Sequence, residues 1–381
     1  MPGKVQRKYV GETMRIQKSL KRPLYMLSEL LPCQYNGNDL LNLFREFYPF
    51  EWEKIVERCN QSREKDSFLK SVGKKERYKA PSAERFFFDM PVVKNILSPR
   101  FMAKHREAFD EKIQAGKYSA LKKRRDAKNA ELKQRITKHT ALMQNVEPYY
   151  VDALIAAYHQ RGITTEGKVE IVKEMGKFIC DKSLEFFYKI NDAERNDQIR
   201  QIAFKHLQDS GRYVKLRKKF SGKKKVYMTE KTDFNMTPAD LAKRLETDTI
   251  QNIKTFGAFI SHSYKDTAIV KQVISILNKK GISCYCDWSS DNDFLKRSLV
   301  SDYTKEVLKK RIEQSNNLLF IRTSNSMTGE KVNSPWIEME LEYCEVIGKT
   351  IYCINLTDDK TILPFKMLNH NLANERIDWN E

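Results

Sequence analysis

The C-terminal third of this 381-residue chain predicts an α/β fold, with helices on both faces of a parallel sheet, after a mainly α-helical region. Short apolar stretches that suit buried strands alternate there with helical patterns of about ten to fifteen residues, as in βαβ units. Polar residues follow the first two predicted strands, as 261–263 and 287–288. Because ligands of such sheets bind beyond the carboxyl ends of the strands, these residues are candidates for a site.

The predicted elements of this region follow one another without long gaps. The first strand begins at Thr255, and the helix after it is closed by Lys279, Lys280 and Gly281, which are helix stop signals. The later elements are a strand over 282–286, a polar loop over 289–293, a helix over 302–314, a strand over 317–323, a helix from Trp336 and a strand over 350–355.

One glutamate of the helix that contains Trp336 lies on the apolar side of that helix. At about 100° per residue, Trp336 and seven further apolar residues form one continuous arc, while Glu338, Glu342 and Glu345 group opposite them. The further members of the arc are Ile337, Met339, Leu341, Tyr343, Cys344, Val346 and Ile347. Glu340 falls inside the arc. A carboxylate that faces a core costs on the order of several kcal/mol unless it is paired or used, so Glu340 is a candidate catalytic residue.

Residues from about 254 to 381 resemble a Toll/interleukin-1 receptor (TIR) domain of the bacterial type, which has a flavodoxin-like fold. The first family motif is matched by Phe259-Ile260-Ser261-His262-Ser263 with Asp266, and the Trp-x-x-x-Glu helix by 336–340. The loop after the second strand, used in the family for assembly and substrate access, is matched by 287–297. Each motif is weak alone, but their order and spacing together are specific.

The resemblance implies a chemistry, because catalytically active TIR domains cleave NAD at the nicotinamide–ribose bond. Nicotinamide leaves as a neutral molecule, so no general acid is needed, and the ribose becomes an oxocarbenium-like cation. Glu340 would stabilise that cation by its charge. NAD is then a substrate, and neither a cofactor nor a metal is expected. The implied NAD-binding residues are Phe259, Ser261, His262, Trp288 and Trp336.

Each of these residues also has a structural interpretation when it is considered alone. Trp336 could belong to the core, His262 could be a polar loop residue, and Trp288 could anchor its loop. Glu340 could reach solvent from the edge of its helix face. A non-catalytic TIR adaptor that binds other TIR domains in signalling is therefore an alternative to an NAD glycohydrolase with or without cyclase activity.

Self-association through the TIR domain is expected from the same loop. Family members generally build the active site between neighbouring TIR domains, with this loop as a bridge. The candidate assembly residues are Asp291, Phe294, Lys296 and Arg297, together with Asp293. Opposite charges around an exposed aromatic side chain suit a head-to-tail contact.

The positive charge of the chain lies outside the TIR-like part. Residues 251–381 hold 17 Lys or Arg and 17 Asp or Glu, so residues 1–250, with 52 basic and 33 acidic residues, carry the whole excess of +19. Such an excess favours a polyanionic partner, nucleic acid or a nucleoprotein before a membrane. A solvated surface on a basic protein would explain the same numbers.

Residues 1–250 are predicted to form a basic, mainly helical sensor or assembly region, with a possible division near 118–148, and they resemble no known family. The linker to the TIR domain (251–381) is predicted over 247–254. Predicted helices cover 40–47, a segment from Pro49, 119–146, 148–160, 166–187, 192–207 and a short segment from Pro238. An apolar segment, 81–90, could be core or face a partner.

A basic hairpin is predicted over 213–228, with its turn at Ser221-Gly222. Aromatic residues flank its basic side chains, as suits a surface that follows a nucleic-acid backbone. The candidate contacts are Lys215, Arg217, Lys218, Lys219, Lys223, Lys224 and Lys225.

The cysteine content and the apolar patterns of the chain predict its cellular compartment. The chain has seven cysteines, an odd number without metal-site spacing, no apolar run of the ~18 residues that span a bilayer, and no visible signal peptide. We therefore expect a cytoplasmic effector without a membrane partner, and the resemblance to bacterial TIR proteins implies a role in defence against phage.

Overall fold

The computed structural model describes residues 4–212, 214, 225–232, 237–247, 249–291 and 302–379. The chain divides into two compact units, with the boundary between Arg135 and Ile136. The boundary falls inside a helix, and residues 136–250 belong to the same unit as the α/β part.

The first unit is helical throughout its secondary structure. Its helices are α1 (Lys4–Ser28), α2 (Gly37–Phe47), α3 (Pro49–Ser71), α4 (Ala83–Asp89), α5 (Pro91–Ile96), α6 (Pro99–Glu107) and the first part of α7 (Glu111–Thr140). The side chain of Asn36 caps α2, and Pro49 occupies the first turn of α3. Phe44 and Phe87 pack in the core with ring centroids 5.1 Å apart, so the apolar segment 81–90 contributes to the core.

The helices of the second unit before the sheet are α8 (Val151–His159), α9 (Thr165–Met175), α10 (Asp181–Ala193), α11 (Asp197–Asp209), α12 (Pro238–Thr247) and α13 (Thr249–Asn252). The single helix predicted over 166–187 is wrong, because the chain turns between α9 and α10. Cys180 caps α10, and the backbone of Gln144 pairs with the turn at Lys177 and Ile179. The helix predicted over 192–207 begins later, where Asn196 caps α11.

The α/β part alternates helices and strands in the predicted order. Its elements are β1 (Phe256–Ser261), a 3₁₀ turn (Tyr264–Asp266), α14 (Thr267–Lys279), β2 (Cys284–Tyr285), α15 (Asp287–Ser290), α16 (Asp302–Glu313), β3 (Ser315–Arg322), β4 (Met327–Thr328), β5 (Lys331–Val332), α17 (Pro335–Val346), β6 (Ile351–Asn355), β7 (Lys366–Met367), β8 (His370–Asn371) and β9 (Arg376–Ile377).

The main sheet has the strand order β2-β1-β3-β6-β7 among the described residues, and all of its neighbouring strands are parallel. Ala258 of β1 pairs with Cys284 on one side and Asn317 on the other. The short pairs β4–β5 and β8–β9 are antiparallel. The predicted fold class, a parallel α/β sheet after a helical region, is therefore confirmed.

The two faces of the sheet pack against different parts of the chain. Ala258 and Ile260 contribute to a core with α14 and the C-terminal Trp379. Phe259 and Phe256, the first residue of β1, belong to a second core that also contains residues of α16, α17 and α8–α11. Residues 136–250 thus share a hydrophobic core with one face of the sheet.

The predicted linker over 247–254 is buried in part, at residues 250, 251 and 254. Gln251 and Lys254 are inaccessible to solvent, and Ile250 belongs to the shared core. Both polar side chains are paired inside the unit, Gln251 with Glu170 and Arg311, and Lys254 with Glu174, so this part of the segment packs against its neighbours.

Candidate active site

A cleft of about 1060 Å³ opens at the carboxyl edge of the main sheet. Its walls come from the end of β1, α15, α16, the segment after β3 and the start of α17. Its volume lies at the upper end of the range for small-molecule sites. The sheet edge at which the sequence predicts a ligand site, beyond the carboxyl ends of the strands, therefore contains a cleft.

Glu340 lies in this cleft, nearly buried, with 8% of its surface exposed. It is in the second turn of α17, one turn after Trp336. The Ser261 hydroxyl, at the last residue of β1, donates a hydrogen bond to Oε2 of Glu340 at 2.6 Å. Burial raises the pKa of Glu340 from 4.5 to about 8; Asp287 adds to this rise, and the Ser261 bond opposes it.

His262 and Trp288 form a hydrogen-bonded pair that lines the cleft. Nδ1 of His262 lies 3.0 Å from the carbonyl oxygen of Ile260, and the indole Nε1 of Trp288 donates to Nε2 of His262 at 3.2 Å. Nε2 accepts, so Nδ1 carries the proton and donates to the carbonyl. The ammonium of Lys271 lies 5.5 Å from the centroid of the Trp288 ring. The pair fixes the orientation of both rings.

The predicted substrate-binding residues differ in how far their side chains are exposed to the cleft. Trp336 is half-buried and lines the cleft, as do His262 and Trp288. Phe259 also borders the cleft, but it is 1% exposed and stacks on Tyr285 with centroids 5.1 Å apart. Ser261 is fully buried and lies behind the Glu340 carboxyl group, so it contacts Glu340 and not the open space.

The helix face predicted for α17 is largely correct. Ile337, Leu341 and Cys344 are buried, and the three glutamates opposite them are exposed. Val346 is an exception: it was placed in the apolar arc, but it is 81% exposed at the last residue of α17.

Several lining residues escaped the sequence analysis. The segments that follow β1 and β3 contribute Tyr264, Lys265, Asn325 and Asn333, whereas Ser263 and Asp287, which also line the cleft, were predicted at this sheet edge. Tyr264, Lys265 and Asn325 follow strands that end at the same edge, so their position after a strand could have indicated them.

Asp266 connects two of these segments at the rim of the cleft. It is buried and accepts hydrogen bonds from Oγ1 of Thr323 at 2.6 Å and Nδ2 of Asn325 at 2.7 Å. This gives the family-motif aspartate a structural role, because it joins the segment after β1 to the segment after β3.

The assembly prediction required Asp291 to belong to an exposed charged cluster, and the structure contradicts this. It is fully buried, and Arg311 donates to it through Nε at 2.8 Å and Nη2 at 3.1 Å. The nearby Arg311 and Lys254 cations hold the pKa of Asp291 well below its usual range. The other three assembly candidates, Phe294, Lys296 and Arg297, lie outside the described residues, as does Asp293.

The basic hairpin falls mostly outside the described residues, which include Lys225 but not the other six candidate cations. Lys225 is exposed. The predicted second strand is wrong at its end, because Val226–Met228 forms a 3₁₀ turn.

A possible cation-binding group in the described part of the chain is formed by His262, Cys286 and Asp287, whose donor atoms lie within 4.8 Å of one another. Its donors are not arranged for a metal. Nε2 of His262 is used by the indole of Trp288, and burial raises the pKa of the Cys286 thiol well above its ordinary value. All seven cysteines are free thiols. Within the described residues, no helix combines the length and the hydropathy needed to cross a membrane.

A parallel sheet in this strand order, with a glutamate buried one turn after a tryptophan at its carboxyl edge, is consistent with the fold of a TIR domain. Comparison with known proteins agrees with this class. The chain is 51% identical over 379 residues to "Putative cyclic ADP-D-ribose synthase TIR2" of Cytobacillus dafuensis, and the match covers 100% of this chain and 98% of the relative. The chain therefore belongs to the bacterial TIR-protein family that this relative represents.

A second relative shares a smaller part. "Probable 3' cyclic ADP-D-ribose synthase ThsB'" of Bacillus cereus (strain MSX-D12) is 31% identical over 98 residues, which is 26% of this chain and 48% of that protein. No family model matches the chain. No solved structure matches it either.

The raised pKa of Glu340 predicts a stability gain on substitution. The folded protein binds this proton more tightly than the unfolded chain, so the residue lowers the free energy of unfolding as pH rises from 4.5 to about 8. Glu340→Gln removes this penalty and still accepts from Ser261. We expect its free energy of unfolding in urea to exceed that of the wild type by about 2–4 kcal/mol at pH 8, and by little at pH 5.

The control for this measurement is Glu338→Gln, on the exposed side of the same helix. It should show no such dependence on pH. A Glu340→Gln variant whose stability difference from the wild type is the same at both pH values would contradict the buried, protonated state of this carboxyl group.

Proposed function

We propose that this protein is a TIR-type enzyme that cleaves the nicotinamide–ribose bond of NAD and forms cyclic ADP-ribose. The observation that carries the proposal is the buried Glu340 carboxyl group, held by Ser261 in a cleft of about 1060 Å³. The name of the relative that matches over the whole chain, a putative cyclic ADP-D-ribose synthase, supports the same activity.

The bond cleavage needs an anion more than it needs an acid. When the C1′–N bond breaks, its electron pair moves to the pyridinium nitrogen, and nicotinamide leaves as a neutral molecule. The positive charge then lies on C1′ and the ring oxygen of the ribose. A carboxylate at Glu340 would accept hydrogen bonds from the ribose hydroxyl groups and stabilise that charge.

Glu340 must lose its proton before it can act as this anion. Its pKa of about 8 in the empty cleft means that the carboxyl group is largely protonated at neutral pH. The bound pyridinium and the developing cation favour the charged form, so substrate binding would lower the pKa. The carboxylate would then form mainly when the positive charge of the substrate is present, so the buried negative charge would not be left uncompensated.

Cyclisation requires a second nucleophile from the same NAD molecule. A hydroxyl group of the other ribose would form a bond to C1′ and lose its own proton to solvent. A ring nitrogen of the adenine would form the bond with its lone pair, and the positive charge would then stay on the adenine or leave as a proton from its exocyclic amino group. Water at the same position would give linear ADP-ribose, also with release of one proton. Trp288 and Trp336 provide large apolar surfaces at the cleft, which would exclude water and hold the dinucleotide folded.

The adaptor alternative explains less of the site. An adaptor would need no desolvated carboxyl group in an open cleft, and Ser261 would have no reason to donate to it. The name of the full-length relative also describes a synthase. We therefore favour the enzyme.

The biological role is proposed from the consumption of NAD and from the positive charge of residues 1–250. An enzyme that consumes NAD in the cytoplasm must stay silent until a signal arrives, and the basic residues 1–250 offer a region for sensing it. We propose an effector of defence against phage, activated by assembly of TIR domains, by nucleic acid or a nucleoprotein bound to residues 1–250, or by both.

Substitution of Glu340 tests the catalytic role. Glu340→Gln should reduce NAD cleavage by roughly 10²–10³, because a neutral amide stabilises the cation poorly. Glu338→Gln and Glu342→Gln, both exposed, should retain activity within about a factor of two. Chromatography of the products should show nicotinamide and cyclic ADP-ribose from the wild type. Turnover by Glu340→Gln within a few-fold of the wild type would contradict the mechanism.

Assembly predicts a dependence of activity on protein concentration. The specific activity of the full chain should rise across a hundredfold range of enzyme concentration, together with the mass measured by light scattering. Phe294→Ala combined with Lys296→Glu should abolish this rise without changing the circular dichroism spectrum. A constant specific activity with a monomeric mass throughout would exclude assembly as the switch.

A nucleic-acid partner predicts binding that depends on salt. The full chain should bind RNA or DNA with an affinity that falls steeply as salt increases, because released counterions drive the association. Replacing Lys223, Lys224 and Lys225 with Glu should weaken binding to all sequences alike. Absence of binding at low salt would favour the interpretation of the positive charge as a solvated surface.

A further inference from the structure

The cleft residues Asp287 and Trp288 belong to a short segment that is held from outside the TIR domain. β2 consists of two residues and lies at an edge of the main sheet, and α15 follows it after one residue. A two-residue edge strand and a single helical turn have little stability of their own. The position of these two side chains therefore depends on what else the segment contacts.

The first contact is made by Gln144. Its side-chain amide donates to the carbonyl oxygen of Cys284 at 2.6 Å and accepts from the Cys284 N–H at 2.9 Å. The amide thus pairs with β2 as a neighbouring strand would. Gln144 is 6% exposed, so water cannot easily replace these bonds.

The second contact is made by Lys177, at the turn between α9 and α10. Its ammonium donates to the carbonyl oxygen of Ser290, the last residue of α15, and pairs with Glu174 at 2.7 Å. A cation at the C-terminal end of a helix also has a favourable interaction with the helix dipole.

The third contact is a buried ion cluster that includes Asp291, the residue directly after α15. Glu174 pairs with Lys254 at 2.7 Å, Lys254 lies 3.7 Å from Asp291, and Asp291 pairs with Arg311 at 2.8 Å. Each of these four side chains is at most 3% exposed. Removal of one member leaves an uncompensated buried charge, so the cluster resists separation.

We propose that Gln144, Glu174 and Lys177 are positioning residues for the NAD cleft, which hold β2 and α15 and thereby place Asp287 and Trp288. The three residues lie in 136–250, outside the TIR sequence. The catalytic module is therefore 136–381, and a signal that moves the turn at Lys177 changes the wall of the cleft. The consequence for catalysis rests on the proposed function, whereas the positioning itself does not.

The test uses the full chain labelled with 5-fluorotryptophan, which gives four ¹⁹F resonances for the four tryptophans. Trp288→Phe assigns the resonance of interest. Lys177→Met removes the bonds to Ser290 and Glu174, and Gln144→Met removes both bonds to Cys284 with a side chain of similar size. Each should shift or broaden the Trp288 resonance and leave that of Trp52 unchanged.

Two further variants separate positioning from general damage. Lys177→Arg keeps a cation and a donor, so it should restore the wild-type Trp288 resonance. Lys182→Met removes a surface lysine of the same segment, which pairs with Glu147 and Asp152 and does not contact β2 or α15. It should behave as the wild type.

In NAD turnover, Lys177→Met should reduce kcat/KM by about tenfold or more, because small displacements of positioning groups are costly, and Lys177→Arg should recover most of this loss. A Trp288 resonance unchanged in both folded methionine variants would overturn the proposal. If it moves as expected while the wild type does not cleave NAD, the positioning stands and the proposed function fails.

Discussion

The cost of burying the Glu340 carboxyl group is the constraint on which the site depends. Burial disfavours the charged form, and the hydrogen bond from the hydroxyl group of Ser261 opposes this effect only in part. The fold accepts this cost because the two residues come from rigid elements, the end of β1 and the second turn of α17. On the proposed mechanism, the carboxyl group is charged mainly against a cationic ligand, so the site needs no permanent counter-ion.

The rest of the sheet edge is arranged around that group. Asp266 joins the segments after β1 and β3 through Thr323 and Asn325, so the rim has a defined shape. The pair of His262 and Trp288 forms another wall, but its segment is short and depends on contacts from 136–250. The buried ion cluster around Asp291 makes the helices α8–α13 and the sheet parts of one compact unit. These side chains are the ones that would transmit a signal from 136–250 to the cleft under the proposed function.

Local patterns in the sequence predicted correctly the features of the fold that depend on local periodicity. The strand–helix alternation predicted the parallel sheet, and the helical wheel predicted that Glu340 faces inward, which its 8% exposure confirms. Ser261 was expected near the site, but its partner was not, because nothing local indicates which hydroxyl group reaches a given carboxyl group. The prediction that Val346 lies on the apolar side was wrong, because a helical wheel gives the direction of a side chain around the axis and not which residues are covered by other elements.

The larger failures have a common physical cause. Asp291, Gln251 and Lys254 are polar residues in segments that look like a loop and a linker, and each is buried because a partner distant in the sequence satisfies it. Charged residues are rarely buried unless paired, and a single sequence does not show the pairs. The same limitation concealed the turn between α9 and α10, whose backbone pairs with Gln144.

The most direct test of the account is a titration of the Glu340 side chain itself. The ¹³C chemical shift of its carboxyl group, assigned with Glu340→Gln, should titrate with a pKa of about 8 in the free protein. With a non-cleavable carbocyclic NAD analogue bound, which keeps the cationic nicotinamide, the pKa should fall by at least about one unit, since an opposite charge nearby favours the carboxylate. A carboxyl group that titrates near 4.5 in the free protein, or whose pKa the cationic analogue leaves unchanged, would contradict the account.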